Sequence, residues 1–402
     1  MPCIILKIMN TSVNRDRFYS IYKLCLFVYF VNSMHPWFLL SIPMVWISVV
    51  FFAITLIAYN RNYFYKGIRL GTVLCFFLMF MWIKRNGNIF GVTEGLLNAV
   101  LFSSILRLKE EVMADCLKFI TKWLALIVLI SSFFYVLFLL GVDLPHTTLA
   151  LSENSRKDRL ENYYFFVFAY EMFGMTRFYS IFLEPGYLTL GVAPLLFIYK
   201  YDVKNKYVLI LLLSQLLSFS LAGLILLFFG FVYCTLCGNE KGKVKKILLG
   251  LLVILFGLTV LYNLLGYEYF YNTIFSRLII ENGTLSGDDR SSLYLDSVYD
   301  SMMKTSSMWT GTDFDVSYSE KGVSGYKLFA VQNGIIGVAI VVISYISLIS
   351  IKKIRFNYQI GFIILCLLLL YQNSYPESMC ILFTGACAKY ILDSRYKPSL
   401  II

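Results

Sequence analysis

Charged side chains are scarce in this chain. Only 15% of the residues are Asp, Glu, Lys or Arg, while 59% are hydrophobic and mean hydropathy is +0.72. A soluble domain of this length needs far more charge on its surface, so that class is excluded. Strict polar–apolar alternation is also missing, which removes a transmembrane β-barrel. Cysteine is absent from both long polar segments, so a disulfide framework there is excluded. Histidine occurs twice, as His35 and His146. The first long apolar runs lack a small-x-small cleavage site and read as anchors rather than a removable signal.

What is present is a succession of apolar blocks long enough to cross a bilayer, which takes about 20 residues per helix. The expected fold is an all-α polytopic integral membrane protein with about 12 transmembrane helices, one membrane domain over residues 1–402. Expected spans are 18–33, 36–59, 70–83, 89–106, 123–141, a sixth opened by Pro185-Gly186, two short helices within 207–237, then 247–265, 328–351, 358–371 and 379–392. Basic residues flank both ends of 207–237, so that run goes in and returns, turning between Ser214 and Gly223. Two large loops remain, 142–184 and 266–325. Within the first, Tyr163-Tyr-Phe-Phe-Val-Phe-Ala-Tyr170 is too short to span and reads as an interfacial or re-entrant piece.

The formal charge of +11 falls mostly on the side opposite the two loops. The positive-inside rule makes that side cytoplasmic, together with both termini, and no nucleic-acid partner is implied. Lys84 and Arg85 fall on the loop side, against the rule.

The loops carry arginines: Arg177 in the first, Arg277 and Arg290 in the second. A guanidinium offers a planar fork of donors that fits phosphate oxygens bidentately. Asp288-Asp289 reads as the cap of a helix whose apolar positions Tyr294, Val298 and Met302 repeat every fourth residue, with Arg290 in its first turn. The plainer reading pairs these arginines with Glu184, Asp288 and Asp289, or with lipid headgroups. Glu184 is the best-placed general base for a hydroxyl nucleophile and equally a salt-bridge partner for Arg177. Asp313-Phe-Asp315 mimics a metal-binding pair. Cys234-Thr-Leu-Cys237 has CxxC spacing without a second pair and reads as ordinary membrane cysteines. Neither a metal nor a cofactor is expected.

Several pieces stand in a recognisable order: Arg177 before Phe182-Leu-Glu-Pro-Gly186, Leu217-Ser-Phe-Ser-Leu-Ala-Gly223, Gly287-Asp-Asp-Arg290 followed by Thr310-Gly311, and Gln332-Asn-Gly-Ile-Ile-Gly337. In this the chain resembles the bacterial O-antigen polymerases (Wzy-type), relatives of the O-antigen ligases, over about residues 120–392. The resemblance implies a GT-C-like glycosyltransferase of the bacterial inner membrane, with both large loops periplasmic. It would join oligosaccharide units carried on undecaprenyl pyrophosphate in lipopolysaccharide O-antigen biosynthesis, with a separate chain-length regulator as partner. It implies catalytic roles for Arg177 and Arg290, with Glu184 beside them. Arg277, Asp288, Asp289 and Gly311 follow as substrate-binding residues. The ligases carry a histidine late in the second loop; here neither histidine is there, which favours polymerase over ligase. Two alternatives remain, the ligase reaction and a lipid-linked oligosaccharide flippase without covalent chemistry. Glu94, inside an expected span, is what a transporter would use.

Overall fold

The computed structural model describes residues 12–40, 42–59, 63–64, 70–85, 89–150, 159–168, 177–238, 242–268, 271, 280–281, 284–285, 292–314, 325–349, 356–373 and 375–391. Among them the chain is mostly helical. The helices are α1 (Ser12–Asn32), α2 (Met44–Tyr59), α3 (Leu70–Ile83), α4 (Ile89–Ile105), α5 (Glu110–Leu139), α6 (Pro185–Ile198), α7 (Lys206–Leu217) and α8 (Leu221–Cys237). They continue as α9 (Lys243–Leu265), α10 (Leu293–Met302), α11 (Ser307–Thr310), α12 (Tyr326–Ile349), α13 (Phe356–Gln372) and α14 (Met379–Ile391). Two of these, α5 and α12, are by themselves long and apolar enough to cross a membrane.

The organising element is α6. Pro185 stands at its first turn, where a missing N–H costs nothing because that donor has no intrahelical partner. From Leu188 to Ile198 every residue is buried, and the helix packs on α7, α8, α13 and α14. A helix apolar all round must be enclosed by others. The surrounding helices instead present apolar residues outward: Trp46 is 61% exposed, Leu70 76% and Leu252 63%.

The run 207–237 does divide in two. Asn205 caps α7 by accepting from Tyr207 N, and Ser220 caps α8 by accepting from Gly223 N at 3.2 Å. The turn between them is buried against α6, where the Gln215 amide donates to Thr189 Oγ1 at 2.8 Å. Ser218 and Ser220 therefore serve the turn and cap.

Four expectations require correction. Pro36 does not open a long helix; it precedes a three-ten turn at Trp37–Leu39, and α2 begins at Met44, directly after Pro43. The charged stretch before Trp123 belongs to α5, which starts with Glu110 and Glu111 in its first turn, where carboxylates suit the helix dipole. The first loop is not purely irregular or re-entrant: β1 (Thr147–Ala150), β2 (Arg159–Asn162) and β3 (Val167–Phe168) form an antiparallel meander. Its aromatics pack on α5, with Phe165 stacked on Phe134 at 4.3 Å and Phe166 against Tyr135. The chain is thus not strictly all-α; β4 (Ile280–Glu281) and β5 (Thr284–Leu285) add a short pair in the second loop. Finally, the cap of α10 is Ser292, whose side chain accepts from Leu295 N; the expected cap, Asp288-Asp289, lies outside the described residues. A serine one residue before the helix reaches that donor directly, and the first turn of α10 begins at Leu293.

Candidate functional site

The helix bundle has two distinct ends. At one, which we call the loop end, the C-termini of α1, α3 and α13 meet the N-termini of α6, α12 and α14, together with described parts of both large loops. Two clusters of polar residues form there.

The first is built on residues 177–184. This segment crosses the end of α1 and turns at Ser180, where Phe182 N donates to Tyr179 O at 3.2 Å and Ser180 has φ +57°. Trp37 N donates to Ile181 O at 3.0 Å, Leu183 N donates to His35 O at 3.3 Å, and Pro36 bridges to Phe182. It is also tied to α5, because Ser180 Oγ donates to Ser131 Oγ at 2.8 Å. Arg177 lies in this segment and is 8% exposed. Glu184 is the residue before α6 and is half-buried; its backbone carbonyl accepts from Tyr187 N, and its side chain makes no capping bond. The carboxyl therefore remains available to its surroundings.

Those surroundings are aromatic. The His35 ring lies 4.5 Å from that of Tyr187 and 5.5 Å from that of Tyr375, with the two tyrosines 6.4 Å apart. Burial holds the His35 imidazole below its ordinary pKa, and the nearby Glu184 charge opposes that shift. Burial likewise pushes the Tyr375 phenol up, with the Glu377 and Glu184 charges acting in the same direction. His35 and Tyr375 thus join Glu184. Nothing in the sequence reading gave either of them a role, because they flank different helices far apart in the chain.

The second cluster is built on a break in α12. Gly334 has φ +65°, a left-handed conformation that costs a residue with a β-carbon about 1–2 kcal/mol. The carbonyls just before the break are taken up by other elements. Thr312 N donates to Val331 O at 2.7 Å, Arg85 Nη2 to Gln332 O at 3.3 Å, and Trp82 Nε1 to Asn333 O at 2.8 Å. Gly311, at φ +82°, lies so close to the same strand of backbone that an added β-carbon would be 2.5 Å from Gln332 O. Thr310-Gly311 and Gln332-Asn-Gly334, two of the pieces that carry the family resemblance, are therefore in backbone contact. The Lys327–Asp296 ion pair, at 2.6 Å, fastens α10 to α12 beside them.

Arg85 lines an open cleft of about 560 Å³ with Thr310, Gly311, Thr312 and Asp313. Its guanidinium stacks 4.7 Å from the centre of the Trp82 ring, and its Nε is buried without an acceptor among the described residues.

Lys84 and Glu377 link the two clusters. Lys84 lies 3.7 Å from Glu94. Burial raises the Glu377 carboxyl above the usual range, Lys84 opposes this, and Glu94 adds to it. Glu377 as a residue is partly exposed, but its Oε2 is buried and meets no hydrogen-bond partner among the described residues. Gln372 Oε1 and Asn373 Nδ2, in the same turn, are also buried and unsatisfied. Buried polar atoms are nearly always paired, so several orphans in one place mark a site that something else completes.

Of the expected site residues, Arg177 and Glu184 share the first cluster and Gly311 lies in the second. Arg277, Asp288, Asp289 and Arg290 lie outside the described residues. So does Asp315, and no group of metal-ligating side chains occurs among the described residues. Glu94 is explained as the partner of Lys84. Cys234 and Cys237 are free thiols, the former buried with its Sγ 3.7 Å from Phe197 O. Sequence reasoning missed Lys84 and Arg85, though their violation of the charge rule was the signal.

No family model, curated protein or solved structure matches the chain.

Proposed function

We propose that this chain is an O-antigen polymerase: a membrane glycosyltransferase that joins undecaprenyl-pyrophosphate-linked oligosaccharide units at the periplasmic face of the bacterial inner membrane. The observation that carries the reading is the meeting of both large loops at one end of the bundle. Residues 177–184 of the first and Thr310–Asp313 of the second stand there among unsatisfied polar atoms.

In the proposed reaction, a hydroxyl on the terminal sugar of one lipid-linked unit attacks the anomeric carbon of the chain held on the other carrier. The new glycosidic C–O bond forms as the bond to pyrophosphate breaks, and the carrier leaves with the electron pair. Arg177 and Arg290 stabilise the charge that develops on the diphosphate, a role in which preorganised donors are worth most. Glu184 accepts the hydroxyl proton. The aromatic faces of His35, Tyr187 and Tyr375 beside Glu184 suit a sugar ring. Neither a metal nor a cofactor enters the scheme, and chain length is set with a separate regulator.

Deleting the gene and examining surface lipopolysaccharide is the test. A polymerase deletion leaves core capped by a single repeat unit. Loss of all capping contradicts the reading and points to a flippase or a ligase.

A further inference from the structure

The cleft under the second loop contains a cation that pairs with no carboxylate among the described residues. Arg85 is half-buried, yet no described carboxylate lies within ion-pair range, and among the described residues one of its donors is engaged, in a long 3.3 Å bond to Gln332 O. Its Nε is buried with no acceptor among the described residues. A desolvated guanidinium donor with nothing to meet costs about 1–3 kcal/mol. Trp82 holds the guanidinium plane by stacking, and its own N–H is fixed on Asn333 O. The fork is therefore held in place before any ligand arrives. Around it, Gly311 brings backbone close with no β-carbon, and the hydroxyls of Thr310 and Thr312 make no hydrogen bond among the described residues. Asp313 is the one negative group on the cleft wall, and it is exposed.

A planar fork with hydroxyl donors and close backbone is the chemistry of phosphate recognition. A cleft of about 560 Å³ also falls in the range of small-ligand sites. We infer that Arg85 is a phosphate-binding residue, and that the cleft it forms with Thr310–Asp313 holds the diphosphate group of a lipid-linked substrate. The assignment of that diphosphate to a lipid carrier rests on the polymerase reading; the phosphate site itself does not. Arg85 would be a third guanidinium, placed by the membrane helices rather than by a loop. This also accounts for two basic residues standing on the side where the charge rule disfavours them.

The test is binding of inorganic pyrophosphate and of geranyl pyrophosphate to the purified, detergent-solubilised full chain. Arg85→Ala should weaken both by roughly 10- to 100-fold, the usual worth of hydrogen bonds to a charged group. Arg85→Lys should recover part of the loss. Asp313→Asn should act in the opposite direction and tighten binding several-fold, which a folding defect cannot do. Tighter binding of geranyl pyrophosphate than of pyrophosphate identifies a lipid-linked ligand; equal binding of the two identifies a free phosphate compound in the same site. The inference is overturned if the wild-type chain binds neither, if Arg85→Ala binds as wild type does, or if Asp313→Asn fails to tighten binding. These outcomes are independent of the deletion phenotype, so the site and the polymerase reading fail separately.

Discussion

The two ends of the helix bundle differ in how their charged side chains are satisfied. At the end where α5 begins, an ion pair is built into the packing, and the buried atoms without a partner among the described residues are the neutral hydroxyls of Tyr22 and Tyr201. Lys23 pairs with Asp115 at 2.9 Å and lies over the Tyr19 ring, and Tyr19 donates to the same carboxylate at 2.8 Å. Neighbouring contacts there are equally conservative: Lys109 N donates to Tyr63 O, Arg107 stacks on Tyr59, and the Tyr233 hydroxyl donates to Asn357 O. At the loop end, Arg85, Gln372, Asn373 and Glu377 each keep a buried atom without a partner among the described residues. Both ends have the same helices to build on. Among the described residues, the orphans at the loop end include charged groups, Arg85 and Glu377, and this separates a surface that only has to be stable from one that is left incomplete for a ligand.

Substitutions at the two ends should therefore differ in what they damage. The largest effect is expected from Arg177→Ala. The protein should still insert, but the long-chain ladder of surface polysaccharide should disappear on a lipopolysaccharide gel, leaving single-unit caps. Next comes Gly334→Ala, where a left-handed backbone and contact with Trp309 O leave no place for a methyl group. The expected loss is about 2–4 kcal/mol, read as a lowered melting temperature in detergent, with ladder lost in proportion.

A smaller and pH-dependent effect is expected at Glu377. Its carboxyl is held above the ordinary range by burial, so the folded state binds this proton more tightly than the unfolded state does. Stability is thus greatest below the unfolded pKa and declines as pH rises through the folded one. Glu377→Gln should remove that decline, making the variant more stable than wild type at neutral pH and indistinguishable in acid; thermal melts across pH check the sign. The smallest effect belongs to Asp115→Asn at the opposite end. That pair is partly solvated, so its loss should cost no more than about 1 kcal/mol and leave the polysaccharide ladder unchanged.

Much of this architecture was legible in the residues themselves. Apolar runs bounded by basic residues define α3 and α4 closely, because a helix in an apolar setting ends where its charges begin. Basic residues at both ends of 207–237 require a return, and Ser220 supplies the cap that makes it. What escaped the sequence is of another kind. The start of α2 is decided by Pro43 rather than Pro36, and the start of α5 by a favourable dipole that outweighs local charge. The meander in the first loop depends on α5 for an aromatic surface, which is a tertiary fact. The site was half visible. Arg177, Glu184 and Gly311 stand out by residue type and context. Arg85 looked like an exception to a rule until its neighbours were known, and His35 comes from a different turn from Tyr375 and Glu377, so only packing brings them together.

The central claim is that guanidinium groups from both large loops hold one diphosphate. A double-mutant cycle on inorganic pyrophosphate binding tests it most directly, comparing Arg177→Ala, Arg290→Ala and the double variant with the wild-type chain. If both side chains hold the same anion, the two losses should be non-additive, with a coupling of about 0.5–3 kcal/mol. Losses that simply add, or a variant that binds as wild type does, would contradict it.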